Sequence, residues 1–221
     1  MPNALRRTRC ALLLAAVLAS PAAVAQQPVD TVVITAARLL DVRSGRYVDP
    51  PQLLVRDGRG VSIDRAGAAV PDGARRVDLA GLSLVPGLID MHTHLDSDPS
   101  YGGYTGLQFN DRFWSMLAVK HAERTLMAGF TTVRNVGSDA WNDVGLREAI
   151  DAGKLTGPRV VSAAYSFGAT GGHCDSTYFP PSMAQKSPYN ADSPEEARKR
   201  VREIRKHGAQ VIKVCATGGV F

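Results

Sequence analysis

The most informative segment of this sequence is GLIDMHTH, residues 87–94. Its short apolar pattern after Pro86 predicts a β-strand. Because side chains alternate between the two faces of a strand, Asp90, His92 and His94 project to the same face. Two imidazoles spaced by two residues can bring their nitrogens to one metal ion, at about 2.0–2.1 Å each. The pattern favours a metal site over a histidine pair that is hydrogen-bonded or exposed. Three apolar residues are expected to pack around the site: Leu88, Ile89 and Met91.

Strand and helix patterns alternate after this segment. Apolar spacing predicts helices over residues 111–128 and 144–152. A third helix is predicted to begin at Ser193-Pro194-Glu195-Glu196, which has a capping-box spacing and proline at the first helical position. The apolar stripe of the first helix is predicted to hold Met116, Val119, Ala122 and Leu126. Strands are predicted at residues 88–94, 130–134, 159–163 and 210–214. Repeated units of this kind indicate an α/β fold with a parallel sheet and helices outside it.

The length of this alternating region favours part of a larger barrel. A closed eight-stranded barrel takes about 250 residues, more than residues 87–221 provide. An open four-stranded sheet would fit the length, but residues 95–110 carry no glycine-rich phosphate loop. We therefore expect residues 87–221 to form the first four β/α units of a barrel, and the chain to be a fragment.

The region before the barrel shows short strands and tight turns. Residues 31–35, 38–42, 52–56, 61–63 and 76–79 alternate or are β-branched, and none shows helical periodicity. Asp57-Gly58 suits a tight turn with positive φ. These features predict a small antiparallel sheet region within a domain of residues 26–86.

The N-terminus carries the pattern of an export signal over residues 1–25. Three arginines and no acid precede the apolar run ALLLAAVL, residues 11–18, and Ala23-Val24-Ala25 fits a cleavage site. Eight apolar residues are too few to cross about 30 Å of hydrocarbon, so we expect no stable membrane anchor. The predicted location is exported, either periplasmic or secreted.

The charge balance does not point to nucleic acid. Lys and Arg number 26 against 21 Asp and Glu, a formal charge of +5, but three of the arginines belong to the predicted signal. The basic run of residues 198–202 follows Glu195 and Glu196 at helical spacing, which is typical of a solvated helix face.

Two cysteines, Cys174 and Cys215, follow the predicted signal. In an oxidising compartment they could pair, but the intervening sequence does not say whether their Cβ atoms meet. Between pairing and burial as free thiols, we favour the free thiols.

The segment VPGLIDMHTH, residues 85–94, resembles the first barrel strand of the metal-dependent amidohydrolase superfamily, which follows a small β-sandwich. MAGFTTVR at 127–134 and GPRV at 157–160 resemble the segments that lead into its second and third strands. QVIKV at 210–214, followed by ATGG, resembles the fourth strand of the branch of Xaa-Pro dipeptidases and imidazolonepropionase-like proteins. The matches cover about residues 31–221 in order. They imply the N-terminal half of a (β/α)8 TIM barrel preceded by part of a β-sandwich.

The resemblance implies a metal site with two divalent ions, most often zinc. His92 and His94 match the paired ligands of the more buried ion, and Lys213 matches the lysine that is carboxylated and bridges both ions. A buried lysine amine shifts its pKa readily, and the neutral amine can add carbon dioxide to become an anionic carbamate. The alternative for Lys213 is a salt-bridged or snorkelling lysine.

A substrate role is implied for His173, which lies in Gly171-Gly172-His173-Cys174 after the third predicted strand. Loops after barrel strands form active sites, and this one resembles a loop that lines the substrate pocket of the branch. The alternative is a surface loop histidine. His121 and His207 are interpreted as structural, since both lie in predicted helices.

The implied function is hydrolysis of amide or peptide C–N bonds by a hydroxide that bridges the metals, as in an exported dipeptidase-like amidohydrolase. The general acid/base aspartate and two further histidine ligands are expected beyond residue 221. Two alternatives stay open: a mononuclear deaminase or cyclic amidase of the same superfamily, and a non-catalytic secreted barrel. The expected partner is a small molecule or a dipeptide, without nucleic acid, and a homo-oligomer is compatible with the sequence.

Overall fold

The structure is a computed structural model that describes residues 30–183 and 187–218. The predicted signal over residues 1–25 lies outside the described residues. The chain divides into two compact units, Met1–Leu84 and Val85–Phe221.

The first unit is a five-stranded sheet. Its strands are β1 (Thr31–Asp41), β2 (Arg46–Val48), β3 (Pro51–Arg56), β4 (Arg59–Arg65) and β5 (Arg75–Leu84). The order is β2-β1-β3-β4 with antiparallel neighbours, whereas β5 pairs with β1 in parallel. The prediction of an antiparallel region is therefore confirmed for four strands and wrong for β5.

The turn chemistry of this unit follows its sequence. Asp57 and Gly58 have φ of +48° and +71° and join β3 to β4, as the positive-φ dipeptide predicted. Val32, Val33 and Ala36 of β1 are all buried, and because strand side chains alternate between faces, Val33 lies on the opposite face from Val32 and Ala36.

The second unit is built around three parallel strands in the order β6-β7-β8. They are β6 (Leu88–Thr93), β7 (Phe130–Asn135) and β8 (Arg159–Ser162). The helices are α1 (Asp111–Met127), α2 (Asn142–Asp151) and α3 (Pro194–Lys206). Short 3-10 segments occupy Pro99–Tyr101, Gly103–Gln108 and Pro181–Met183. A further parallel pair consists of β9 (Phe167–Gly168) and β10 (Val214–Cys215).

The fourth predicted strand is shorter than expected and begins later. The backbone N–H of Gln210 and that of Val211 both donate to the carbonyl oxygen of Ser162, at 2.8 and 3.4 Å. Because two successive amides share one acceptor, the chain bends beside the end of β8 instead of continuing a ladder. Regular pairing starts only at Val214, and its partner is β9.

The core of the second unit lies between the sheet and the helices. Ala118 and Ala122 of α1 pack with Val133 of β7 and Val160 of β8, and all four side chains are at most 2% exposed. The predicted stripe of α1 is wrong at Met116, which is 67% exposed, because the small residue Ala118 marks the centre of the buried face.

The third helix follows its prediction closely. The Ser193 side chain accepts a hydrogen bond from the backbone N–H of Glu196, and Pro194 is the first helical residue. Ile204 is fully buried, with Ala197 and Val201 packed against the same cluster. Within the described part of the chain, the helices are too short and too polar to cross a bilayer.

Candidate functional site

Two of the predicted site residues lie at the carboxyl end of a parallel strand, and the third lies at the start of another strand. His92 is near the end of β6, and His94 follows that strand directly. Lys213 directly precedes β10, beyond the end of β8. The loops that follow parallel strands lie at the same edge of the sheet. Side chains at this edge therefore lie close together.

His92 and His94 are neighbours in space. Their ring centroids are 5.5 Å apart and the rings are tilted by 56°. Asp90, the third polar residue of the strand, accepts a hydrogen bond from the backbone N–H of His92 through Oδ1 at 2.9 Å. Asp90 therefore supports the local backbone, while the two imidazoles present ring atoms to a common space.

The backbone sets the tautomer of His94. Its Nδ1 lies 3.1 Å from the carbonyl oxygen of Gly137, so Nδ1 carries the proton and Nε2 keeps its lone pair. The Nδ2 of Asn135 donates to the same oxygen at 3.1 Å. A histidine whose second nitrogen is held by a carbonyl is oriented as metal ligands commonly are.

The charges around His92 favour its neutral form. Partial desolvation of the ring lowers the pKa of His92, and the positive charge of Lys213 lowers it further. His94 and Arg134 act in the same direction, whereas Asp90 opposes them. The predicted bridging residue Lys213 is thus one of the charges that act on His92.

Lys213 and His173 line the same cleft. The cleft has a volume of about 440 Å³ and is lined by His173, Lys213, Val214, Cys215, Ala216, Thr217 and Gly218. The backbone N–H of His173 donates to the carbonyl oxygen of Thr217 at 3.2 Å. The loop after β9 and the segment around β10 thus line the same cleft and are hydrogen-bonded to each other.

The expectation of two free thiols is wrong. Cys174 and Cys215 form a disulfide, with Cα atoms 5.7 Å apart across a sequence separation of 41. The parallel pairing of β9 with β10 brings the two cysteines together, because Gly168 is in register with Cys215. Neither of these two-residue strands carries a sequence pattern long enough to predict their contact.

A buried polar network that the sequence reasoning missed supports this end of the sheet. Asn135 is fully buried, accepts from the backbone N–H of Leu95 at 2.7 Å and donates to Asp143 Oδ2 at 3.3 Å. Asp143 is 1% exposed, and its Oδ2 also accepts from the backbone N–H of Ala164 at 3.0 Å. Burial raises the pKa of Asp143, although these hydrogen bonds oppose the rise. Asn135 could have been found from its position at the carboxyl end of the second barrel strand.

The surroundings of β6 differ from the prediction in one respect. Leu88, Ile89 and Met91 are 51%, 61% and 51% exposed and do not pack around the histidines. Within the part of the chain that the structure describes, β6 is an edge strand whose partner is β7, so its apolar side chains lack a second neighbouring strand.

His121 has a structural contact, as interpreted. Its Nδ1 bonds the carbonyl oxygen of Leu95 at 2.9 Å and ties α1 to the loop after β6.

The donor set fits part of a divalent-cation site. His94 offers Nε2, the surroundings of His92 favour the neutral imidazole that metals bind, and Lys213 is close enough to influence it. Among residues 30–183 and 187–218, no three His, Cys, Asp or Glu side chains cluster as a complete site would require. The histidines and the lysine therefore supply a partial set of ligands.

The chain is similar to several known proteins. Residues 83–221 match the sequence model of the Amidohydrolase family. A crystal structure of a Xaa-Pro dipeptidase with bound methionine in the active site aligns with 86% of this chain and 48% of its own, at a TM-score of 0.77 and 30% identity. An ochratoxinase from Aspergillus niger is 31% identical over 155 residues, or 62% of this chain and 32% of the relative. A dihydroorotase from Syntrophus aciditrophicus is 42% identical over 67 residues, or 27% of this chain and 16% of the relative.

The chain spans less than half the length of each of these three proteins. The structural alignment confirms the predicted α/β fold, which corresponds to about half of a barrel protein of this kind.

Proposed function

The chain belongs to the amidohydrolase family, and from this membership we propose that it is the N-terminal part of an exported, metal-dependent hydrolase of amide or peptide C–N bonds. In this proposal residues 26–86 are part of a β-sandwich domain and residues 87–221 are the first four β/α units of the barrel. The observation that carries the proposal is the proximity of the His92 and His94 rings, whose centroids are 5.5 Å apart at the carboxyl end of β6.

His92, His94 and Lys213 are the proposed ligands of two divalent ions. Zinc is the proposed metal, since imidazole nitrogen and carboxylate-type oxygen both suit that ion. The Nε2 of His94 is available because Gly137 holds its Nδ1 proton. Addition of carbon dioxide to the Lys213 amine would supply the two carboxylate-type oxygens. When bound, such ions lower the pKa of water to about 7 and polarise a carbonyl oxygen.

The remaining residues of the cleft would bind and orient the substrate. His173 and Lys213 line the same cleft of about 440 Å³, where an imidazole can donate a hydrogen bond to a substrate carboxylate or carbonyl. The likeness to a Xaa-Pro dipeptidase supports dipeptides as the substrate class. We propose dipeptides and related N-acyl amino acids with a free carboxylate as substrates.

The test uses the full-length protein that contains this chain. Purified protein is assayed for metal by elemental analysis and for hydrolysis of Ala-Pro, N-acetyl-L-phenylalanine and dihydroorotate. We expect about two divalent ions per chain and turnover of Ala-Pro or the N-acyl compound. Absence of bound metal together with absence of turnover would overturn the proposal.

Lys213 separates the binuclear mechanism from the mononuclear alternative. Lys213→Ala should remove metal and activity, and short carboxylates such as propionate should restore part of both by supplying the missing oxygens. Lys154→Ala is the matched control, since Lys154 is exposed beyond α2. Full activity in Lys213→Ala would favour the mononuclear alternative.

The proposed export signal is tested separately. N-terminal sequencing of the mature protein from the native host should show cleavage after Ala25. An intact Met1 in the mature protein would contradict it.

A further inference from the structure

The disulfide joins two residues that flank the proposed cleft. Cys174 follows His173 directly, and Cys215 lies two residues after Lys213. Lys213 and Cys215 are themselves among the residues that line the cleft with His173. The crosslink therefore connects the wall that carries the proposed substrate contact to the wall that carries the proposed metal ligand.

The backbone pairing between these two walls is short. The ladder of β9 with β10 spans two residues of each strand, Phe167–Gly168 and Val214–Cys215. A Cβ on Gly168 would lie 2.7 Å from the carbonyl oxygen of Cys215, so the two backbones approach closely here. Beyond the ladder, the backbone N–H of His173 donates a hydrogen bond to the carbonyl oxygen of Thr217 at 3.2 Å. Because so short a ladder opens easily, a covalent crosslink beside it restrains the walls strongly.

We propose that Cys174 and Cys215 are positioning residues whose disulfide holds His173 at substrate-binding distance from the site of Lys213. The proposal rests on the function proposed above. The crosslink acts on substrate binding through His173, while His92 and His94 come from another strand and the carbonyl oxygen of Lys213 is held by the Phe167 N–H at 3.2 Å. Its loss should therefore raise KM and leave kcat and the metal content nearly unchanged.

The crosslink also makes the cleft sensitive to the redox state of its surroundings. A dithiol reductant would break the S–S bond, deliver two hydrogens to give two thiols, and itself be oxidised to a cyclic disulfide. The crosslink persists in an oxidising compartment, which is the kind of compartment that the proposed export would reach.

The experiment uses the full-length protein purified without reductant. A non-reducing digest analysed by mass spectrometry should contain the Cys174 peptide linked to the Cys215 peptide. Kinetics with Ala-Pro or N-acetyl-L-phenylalanine, whichever is hydrolysed, are measured before and after treatment with dithiothreitol. We expect KM to rise about fivefold with kcat within about twofold, since the change removes binding rather than transition-state contacts.

The double variant Cys174→Ser/Cys215→Ser is the matched control. It should reproduce the KM of the reduced protein, keep its metal, and no longer respond to dithiothreitol. Hydrogen exchange of the His173 amide gives a readout that needs no activity, and exchange should be faster after reduction because the bond to Thr217 opens more often. Where the double variant does not fold, reduction of the wild type and its exchange still decide the result.

Two outcomes would overturn the proposal: free thiols at both cysteines in the unreduced protein, or a KM and a His173 exchange rate unaffected by reduction. A protein that shows the linked peptides and faster exchange on reduction, yet hydrolyses no substrate, would instead contradict the proposed function while the crosslink stands.

Discussion

Asn135 and His94 share one hydrogen-bond acceptor: the Nδ2 of Asn135 and the Nδ1 of His94 each lie 3.1 Å from the carbonyl oxygen of Gly137. Asn135 also accepts from the backbone N–H of Leu95, the residue after His94. One buried amide thus fixes both the backbone beside His94 and the oxygen that orients its ring. The consequence is that the geometry of a proposed ligand depends on a residue that does not bind the metal.

The first prediction concerns Asn135→Ala in the full-length protein. The change leaves the Leu95 N–H without its partner and removes two donated hydrogen bonds, so we expect a loss of stability of about 3 kcal/mol. His94 would lose its fixed orientation, and metal affinity should fall about 10- to 100-fold. Thermal unfolding and metal titration measure the two effects.

Asn110→Ala is the control for this prediction. Asn110 caps α1 by accepting from the backbone N–H of Arg112 at 2.9 Å, so its loss should cost about 1 kcal/mol. Metal affinity should not change in this variant. Equal metal affinity in Asn135→Ala and the wild type would show that Asn135 does not orient His94.

The second prediction concerns Gly137→Ala. Gly137 has φ of +140°, and a Cβ there would lie 3.2 Å from the His94 Cε1. We expect a loss of about 1–3 kcal/mol from the backbone, together with weaker metal binding because the ring must move. Gly129→Ala keeps the backbone penalty without the ring contact, since Gly129 has φ of +97° and a Cβ there would meet no described atom within 4 Å. Identical metal affinities in both variants would contradict the prediction.

Local signals account for what could be predicted from the sequence. Ser193, Pro194 and Glu196 each favour the start of α3 on their own, and the helix begins there. The spacing of His92 and His94 on an apolar strand likewise predicts their proximity, which the ring separation of 5.5 Å confirms.

Long-range pairing accounts for most of what could not be predicted. Val33 pairs with Arg76 in parallel, although nothing in the residues of β5 distinguishes a parallel from an antiparallel neighbour. The disulfide between Cys174 and Cys215 lies beside a pair of two-residue strands, which are too short to carry a periodic sequence pattern. Asn135 was missed because the β-branched pattern ends before it, although its position at the carboxyl end of the second barrel strand is a signal that could have identified it.

The third prediction concerns His173→Ala. His173 is exposed on the wall of the cleft, and thermal unfolding of His173→Ala and of the wild type measures what its side chain contributes to stability. In its proposed role it binds substrate, and KM should rise about fivefold with little change in kcat.

His207→Ala is the control, because its ring packs 4.8 Å from that of Trp141 and does not line this cleft. That variant should lose stability and keep its KM. An unchanged KM in His173→Ala would return His173 to the surface-loop interpretation.

The fourth prediction concerns the pH dependence that Asp143 gives to stability. Burial raises the pKa of Asp143 above 3.8, so the folded state holds its proton more tightly than the unfolded state does. Its contribution to stability is therefore greatest below pH 3.8 and decreases as the pH rises through the folded pKa. Asp143→Asn keeps an oxygen to accept from the Ala164 N–H and cannot ionise. The melting temperature of the wild type minus that of Asp143→Asn should consequently fall as the pH rises from about 4 to about 8, and a difference that stays constant or increases would contradict the raised pKa.

Asp143→Ala separates charge from hydrogen bonding, since it leaves the Ala164 N–H without a partner and should cost about 1–3 kcal/mol at every pH.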